Sequence, residues 1–336
     1  MATNPPTLED VAKLAGFSAA TVSRFLNTPE KLSPKARAAI DEAISALNYV
    51  PNFGGRALAS NQTNIVGAIV PSLSNAMFAN GLQAVERTLT AAGRTLLVAT
   101  SDYDPEQELR HIRSLLAHGA SAILLIGKIR DPRTQALLDS HKIPHVIAWT
   151  YEDNPRQTFI GFDNVAAARA AAEQVLNYGH RHIGIIAGIC ETNDRAQDRK
   201  QGFCEAIERH GQARLTHCRE AHYTLEEGRL AFDALYAKAP ETTAILCGND
   251  VLAAGAMIAA REKSLKIPEQ ISILGFDDIG LARVTTPPLT TVRVPQNQMG
   301  QLAAKALIEM QTNSMPTQSI ELNTEFILRG TLVQKP

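Results

Sequence analysis

The stretch TLEDVAKLAGFSAATVSRFLN (7–27) decides how this chain is understood. Thr7 is a good N-cap with Asp10 three places on, so a helix starts at once. Leu8, Val11, Ala12 and Ala15 then share one helical face. Gly16 breaks that pattern and supplies a tight turn. Ser18 caps a second helix, in which Val22, Phe25 and Leu26 point inward. Two short helices joined by about three residues around a glycine make a helix-turn-helix, whose second helix enters the DNA major groove. A plain three-helix bundle with exposed Thr, Ser and Arg shares that spacing.

Moving outward, Ser33 followed by Pro34 is a cap and a proline at the first helical position. Ile40, Ala43, Ile44 and Leu47 make the buried stripe of that third helix. On the second helix, Ala19, Ala20, Thr21, Ser23 and Arg24 face outward. Ala and Thr offer methyl contact to thymine, and Arg24 can bridge guanine O6 and N7. Thr21, Ser23 and Asn27 suit phosphates. Thr7 and Ser18, at the helix starts, complete the candidate DNA contacts of this part. Charge does not carry the case: residues 1–60 hold six Lys/Arg against five Asp/Glu, and the whole chain is −1. Affinity for DNA must come from placed contacts.

Pro51 to Ser60 is short and contains Gly54 and Gly55, which cost a helix about 1 kcal/mol each. By itself it is a flexible linker. From Ile65 the texture changes. Apolar runs IVGAIV (65–70), TLLVAT (95–100), SAILLI (121–126) and HVIAW (145–149) alternate with helical stretches. The pattern restarts with HIGIIAG (182–188), a weak strand near 217–222, TAILCG (243–248) and ISILGF (271–276). Alternation of this kind argues for parallel sheets covered by helices, in two similar α/β halves. A ligand cleft forms where the carboxyl ends of such strands face each other. The residues after the strands include Ser72 to Phe78, Lys128, Trp149, Asp163–Asn164, Glu191 to Arg199, Asn249–Asp250 and Asp277–Asp278. Asn164, Asn249 and Asp278 precede helices, and about half of this set is expected to be structural. Lys128, Arg195 and Arg199 together suggest an anionic ligand.

The string at 7–27, with LNYVPNFGGRALAS (47–60), resembles the lactose/galactose-repressor (LacI/GalR) family, and the resemblance runs the length of the chain. It implies an N-terminal helix-turn-helix three-helix headpiece (1–50), a hinge helix or linker (51–62), and a two-lobed periplasmic-binding-protein-like body of parallel sheets (63–336). The lobes would comprise about 63–160 with 292–323, and about 161–291 with 324–336. Ala19, Ala20 and Arg24 would read bases. The hinge would fold on the operator and pair with its dimer mate in the minor groove, with Leu58 as a wedge and Asn52 and Arg56 on the backbone. Arg199, Asp277, Asn249 and Tyr223 match the family's effector-binding positions, Tyr223 being its stacking aromatic. Asn193 and Arg195 lie in the same strand-end loop, and Gln296 replaces a commoner aromatic. Crossovers near Phe159, at 287–295 and near Thr324 would form a three-strand hinge. The sequence is most similar to gluconate-type repressors, which makes gluconate or ketogluconate the leading effector.

An enzyme on the same α/β body is the main rival. No GxGxxG after a strand, GxxxxGK[ST] or GxSxG is present, and no cofactor is expected. The nine histidines show no metal spacing, and His180 and His182 are expected at the surface. Four cysteines without a CxxC pair read as reduced and mostly buried. The N-terminus lacks a signal peptide, and no apolar run approaches the roughly 20 residues of a membrane span, so a cytoplasmic protein without a membrane partner is expected. A free-standing sugar-binding protein would need an export signal. The tail GTLVQKP (330–336) carries no heptads, so a homodimer on a pseudo-palindromic double-stranded operator is expected.

Overall fold

The computed structural model describes residues 5–50, 63–313 and 317–335. The chain divides into two compact units, Met1–Thr63 and Asn64–Pro336. In the first, α1 (Leu8–Ala15), α2 (Ala19–Asn27) and α3 (Pro34–Leu47) are joined by tight connections, with a 3₁₀ turn at Pro29–Lys31. Local chemistry sets each start. Thr7 and Asp10 form a reciprocal capping box, Ser18 Oγ accepts from Thr21 N at 3.2 Å, and Ser33 caps the helix that begins at Pro34. Gly16 ends α1 at φ +73°, a left-handed geometry that favours glycine. Val11, Ala12, Val22, Ile40, Ala43 and Tyr49 form the core of this unit. The hinge segment, with Asn52, Arg56 and Leu58, lies outside the described residues, as does the side chain of Asn27.

The second unit has two α/β lobes. One sheet contains β1 (Ile65–Val70), β2 (Thr95–Thr100), β3 (Ala120–Ile126), β4 (His145–Ala148), β5 (Thr158–Gly161) and β11 (Ile320–Glu321). Its strand order is β2-β1-β3-β4-β5-β11, and every pair is parallel. The other contains β6 (His182–Gly188), β7 (Arg214–Ala221), β8 (Ala244–Cys247) and β9 (Ser272–Leu274), ordered β7-β6-β8-β9 and also parallel. Helices α4 (Ala76–Ala91), α5 (Pro105–Ala117), α6 (Pro132–Ser140), α7 (Asn164–Asn177), α8 (Asp194–His210), α9 (Leu225–Lys238) and α10 (Asp250–Glu262) connect successive strands. Central strands such as β1, β3 and β8 are nearly all buried because helices cover both faces. In each sheet the chain reverses direction beside the first strand, which places a crevice at its carboxyl end.

The chain passes between lobes after β5, back through β10 (Thr291–Arg293), and again from β11 to β12 (Glu325–Ile327). β10 and β12 pair antiparallel. Then α11 (Gly280–Val284) precedes β10, and α12 (Gln296–Asn313) follows it and packs on α4 in the first lobe.

Three expectations need correction. Arg195 is not in a loop: Asn193 caps α8, and Arg195 sits in its first turn. His180 is fully buried, not at the surface, because the C-terminal segment covers it. Its ring bridges Thr243 Oγ1 and Val333 O, each at 3.0 Å, and burial pushes its pKa down to about 4. Of the four cysteines only Cys247 is buried; the others are half-buried. Among the described residues no helix is long and apolar enough to cross a membrane, and no His/Cys/Asp/Glu group could hold a metal.

Candidate functional site

Backbone strain marks the crevice. Among the described residues, five of the eight non-glycine positions with positive φ follow a sheet strand: Asp102, Tyr103, Trp149, Asp277 and Asp278. Such residues persist only where the surroundings over-determine them, and they cluster at binding sites. Asp277, at φ +107°, follows β9 and is 1% exposed. Neither of its carboxylate oxygens accepts a hydrogen bond from the protein. The nearest cation is Arg199 Nη1, 3.7 Å away. Burial pushes the Asp277 pKa up to about 7, with the Arg199 guanidinium working against that rise.

Arg199 is itself buried on α8. Its guanidinium lies 4.9 Å from the Phe276 ring centre, and its Nη2 donates to Tyr223 Oη at 3.2 Å. Its Nε has no protein partner. Burial opposes its charge, but Tyr223 and Asp277 outweigh that and hold its pKa above the ordinary value. Asn193 Nδ2 also reaches Tyr223 Oη, at 3.3 Å. Gln296, the first residue of α12, donates to Asp277 O at 2.8 Å and accepts from Asn80 at 2.9 Å. One polar cluster thus joins Asn193, Arg199, Tyr223, Asp277 and Gln296, with unpartnered buried atoms at its centre. Unpartnered buried groups are costly, so they point to a polar ligand.

A second cluster bridges the lobes. Lys128 N donates to Asp194 Oδ2 at 2.9 Å, and Lys128 Nζ lies 2.9 Å from Glu152 and 3.6 Å from Asp198. Arg195 pairs with Asp194 at 2.6 Å and rests on Gly127, where a Cβ would collide with its guanidinium. The three cations read as anion ligands therefore each face a carboxylate.

Phe78 and Trp149 are buried against each other at 5.7 Å, and Gly81 leaves room for the indole. The Trp149 Nε1 has no protein partner. Ser72 is half-buried and pairs with Ser74 Oγ at 2.7 Å. Asn249 caps α10 by accepting from Leu252 N at 2.8 Å, while its Nδ2 is left unpartnered. Asn164 does not cap α7, a role taken by Asp163; it donates to Trp149 O at 3.0 Å. In the first unit Ala20 and Arg24 are exposed on one face of α2, Thr21 and Ser23 are half-buried, and Ala19 leans on the core. The Thr7 and Ser18 hydroxyls are engaged in caps.

Sequence reasoning passed over Tyr103, whose ring centre lies 6.1 Å from that of Tyr223. It also passed over Glu108, buried with an unpartnered Oε1 and flanked electrostatically by Arg130 and Arg195. The signal for Tyr103 was its place just past TLLVAT; Glu108 lies inside a helix and gave none.

A family profile described as bacterial regulatory proteins, lacI family, matches residues 7–52. Another, described as periplasmic binding proteins and sugar binding domain of LacI family, matches residues 63–328. The transcriptional regulator IdnR of Escherichia coli K12 is 30% identical over 97% of this chain and 98% of its own. A LacI-family transcriptional regulator from Silicibacter pomeroyi has a similar structure, with TM-score 0.89 and 29% identity over 98% of this chain and 100% of its own. The lac repressor dimer bound to operator and the anti-inducer ONPF gives TM-score 0.86 and 26% identity, over 98% and 100%.

Proposed function

The chain belongs to the LacI family and is a sequence-specific DNA-binding transcriptional regulator rather than an enzyme, and from that premise we propose that it is a repressor controlled by a sugar or sugar acid held between the two lobes. Members of this family bind operators as dimers and respond to small molecules. The observation that carries the effector proposal is Asp277, a buried carboxylate without a hydrogen-bond donor, next to the unpartnered Arg199 Nε. Hydroxyl groups donate to the first and accept from the second, and a polyol does both. Asn193, Tyr223, Asn249 and Gln296 complete the polar wall, while Lys128 and Arg195 would meet a carboxylate by exchanging it for Asp198 or Asp194. Gluconate and ketogluconate are the acids proposed. Ala20 and Arg24 are proposed to read bases, with Ala19, Thr21, Ser23 and the helix starts at Thr7 and Ser18 beside them. The segment 51–62 is proposed as the hinge.

The test is fluorescence anisotropy on a pseudo-palindromic promoter fragment, with and without metabolites. Arg24→Ala is expected to weaken operator binding by about ten- to a hundredfold, the worth of one bidentate base contact. Sugars or sugar acids should shift the wild-type isotherm. Purines shifting it, with no carbohydrate doing so, would sink the effector proposal.

A further inference from the structure

Tyr103 and Tyr223 face each other from opposite lobes. Their ring centres are 6.1 Å apart and their planes are tilted by 48°. Both are held in place. Asp102 N and Asp104 N donate to Pro71 O and Ser101 O at 3.0 and 2.8 Å, and Asp104 caps the helix that starts at Pro105. Tyr103 is thereby fixed at φ +62° after Asp102 at φ +49°, two successive residues in the left-handed region. On the other side Thr224 caps α9, the Tyr223 hydroxyl is held by Arg199 and Asn193, and Gly188 gives the ring space. Arg195, Arg199 and Asp277 all act electrostatically on Tyr103, which places its ring beside the buried polar cluster.

Resting on the sugar-effector proposal above, we infer that Tyr103 and Tyr223 form a two-sided aromatic clamp selecting a carbohydrate in its ring form over an open-chain polyol. A flat guest between two aromatic faces needs them about 7–8 Å apart, twice the carbon–carbon contact distance. The ring centres must part by about 1–2 Å and the planes must turn from 48° toward parallel, as the lobes joined by three strands open around the guest. A pyranose offers apolar C–H faces to both rings and hydroxyls at its rim to Asp277, Arg199 and Asn193. An open-chain polyol has the hydroxyls but no face. Ketogluconate closes to a hemiketal ring. Gluconate, lacking a second carbonyl, does so only as its hydrolysable lactone. The clamp therefore favours the keto acid, or a ring sugar, over gluconate.

The experiment is calorimetry on the full-length protein with two sets of probes. The ring set is the methyl pyranosides of glucose, galactose and xylose, with glucuronate, galacturonate and 2-ketogluconate. The open-chain set is gluconate, galactonate and xylonate. The tightest ligand should come from the ring set, with a Kd at least about tenfold below that of any aldonate. Tyr103→Ala should weaken that ligand by about tenfold and Tyr103→Phe by less than about twofold, because the face and not the hydroxyl is used. Tyr103→Leu keeps the bulk without the ring and should behave as the alanine variant does. An aldonate binding tightest, or Tyr103→Leu matching wild type, overturns the clamp and leaves the effector site standing. Failure of every probe to bind wild type overturns the sugar effector itself.

Discussion

Asp277 is the residue on which the proposed sensing chemistry turns. A buried carboxylate with a pKa near 7 is half-ionised in neutral solution. Its folded-state pKa lies above the unfolded value, so it contributes stability that is fully present in acid and lost as pH rises through about 7. Ligand hydroxyls need the opposite form, since only the carboxylate accepts from all of them. Effector affinity is therefore expected to rise with pH across the same window. Below pH 7 it should fall by up to about tenfold per unit. Asp277→Asn should bind at least about tenfold more weakly at pH 8 and flatten the profile. Calorimetry between pH 5.5 and 8.5 reads both. An affinity that stays constant in wild type would show that the carboxylate does not bear on the ligand. Asp250 adds to the effect. It too is buried with its pKa pushed up, first by burial and then by Asp277, and it is held by Thr291 Oγ1 at 2.5 Å and Ile279 N at 2.8 Å.

Among the elements, the loop after β9 shows how the site is tied to the lobe crossovers. Asp278, whose side chain is 1% exposed, accepts from Arg329 at 2.5 Å and Arg293 at 2.9 Å, with Arg283 at 3.7 Å. Arg293 lies on β10, and Arg329 follows β12, so one carboxylate binds both crossover strands beside Asp277. Asp278→Ala should cost about 1–3 kcal/mol and lower the melting temperature by several degrees, the arginines being partly hydrated. Differential scanning calorimetry tests this, and an unchanged melting point would deny that Asp278 ties the crossover strands together. This loop also shows what could be seen in the sequence. Asp278 looked like a cap because it stands between a strand and a short helix. Its three arginine partners are 5 to 51 residues away, and no local pattern reveals them. Thr7, Ser18 and Ser33 were legible because a cap and its amide lie three residues apart. So were β1, β3, β6 and β8, whose unbroken apolar runs follow from burial on both faces. β11 and β12, of two and three residues, exist only through remote pairing. Likewise Arg199 and Asp277 were found through family resemblance, whereas Tyr103 needed the opposite lobe in view.

At the scale of the molecule, the proposed response depends on how two lobes meet. Lys128 N to Asp194, Lys128 Nζ to Asp198, and Arg195 on Gly127 are all cross-lobe contacts, and they lie beside the proposed effector site. A ligand changes operator affinity only to the extent that it favours one lobe arrangement over another, typically by about 1–3 kcal/mol. Gly127 is a point at which that balance can be moved without touching Asp277 or Arg199, although Arg195 is displaced. It has φ +73°, where any side chain is strained, and a Cβ would strike the Arg195 guanidinium. Gly127→Val therefore cannot keep this closed contact. Arg195 must withdraw, and the pairing of Asp194 with Lys128 N goes with it. The variant should hold its lobes apart, with a larger radius of gyration by small-angle scattering than wild type. Effector binding should weaken by about tenfold or more, since closure must now be made against strain. Operator binding without effector should then lie at the value of the open arrangement and no longer respond to ligand. Were Gly127→Val to scatter as wild type does and keep its ligand response, lobe closure at Gly127 would not be the switch.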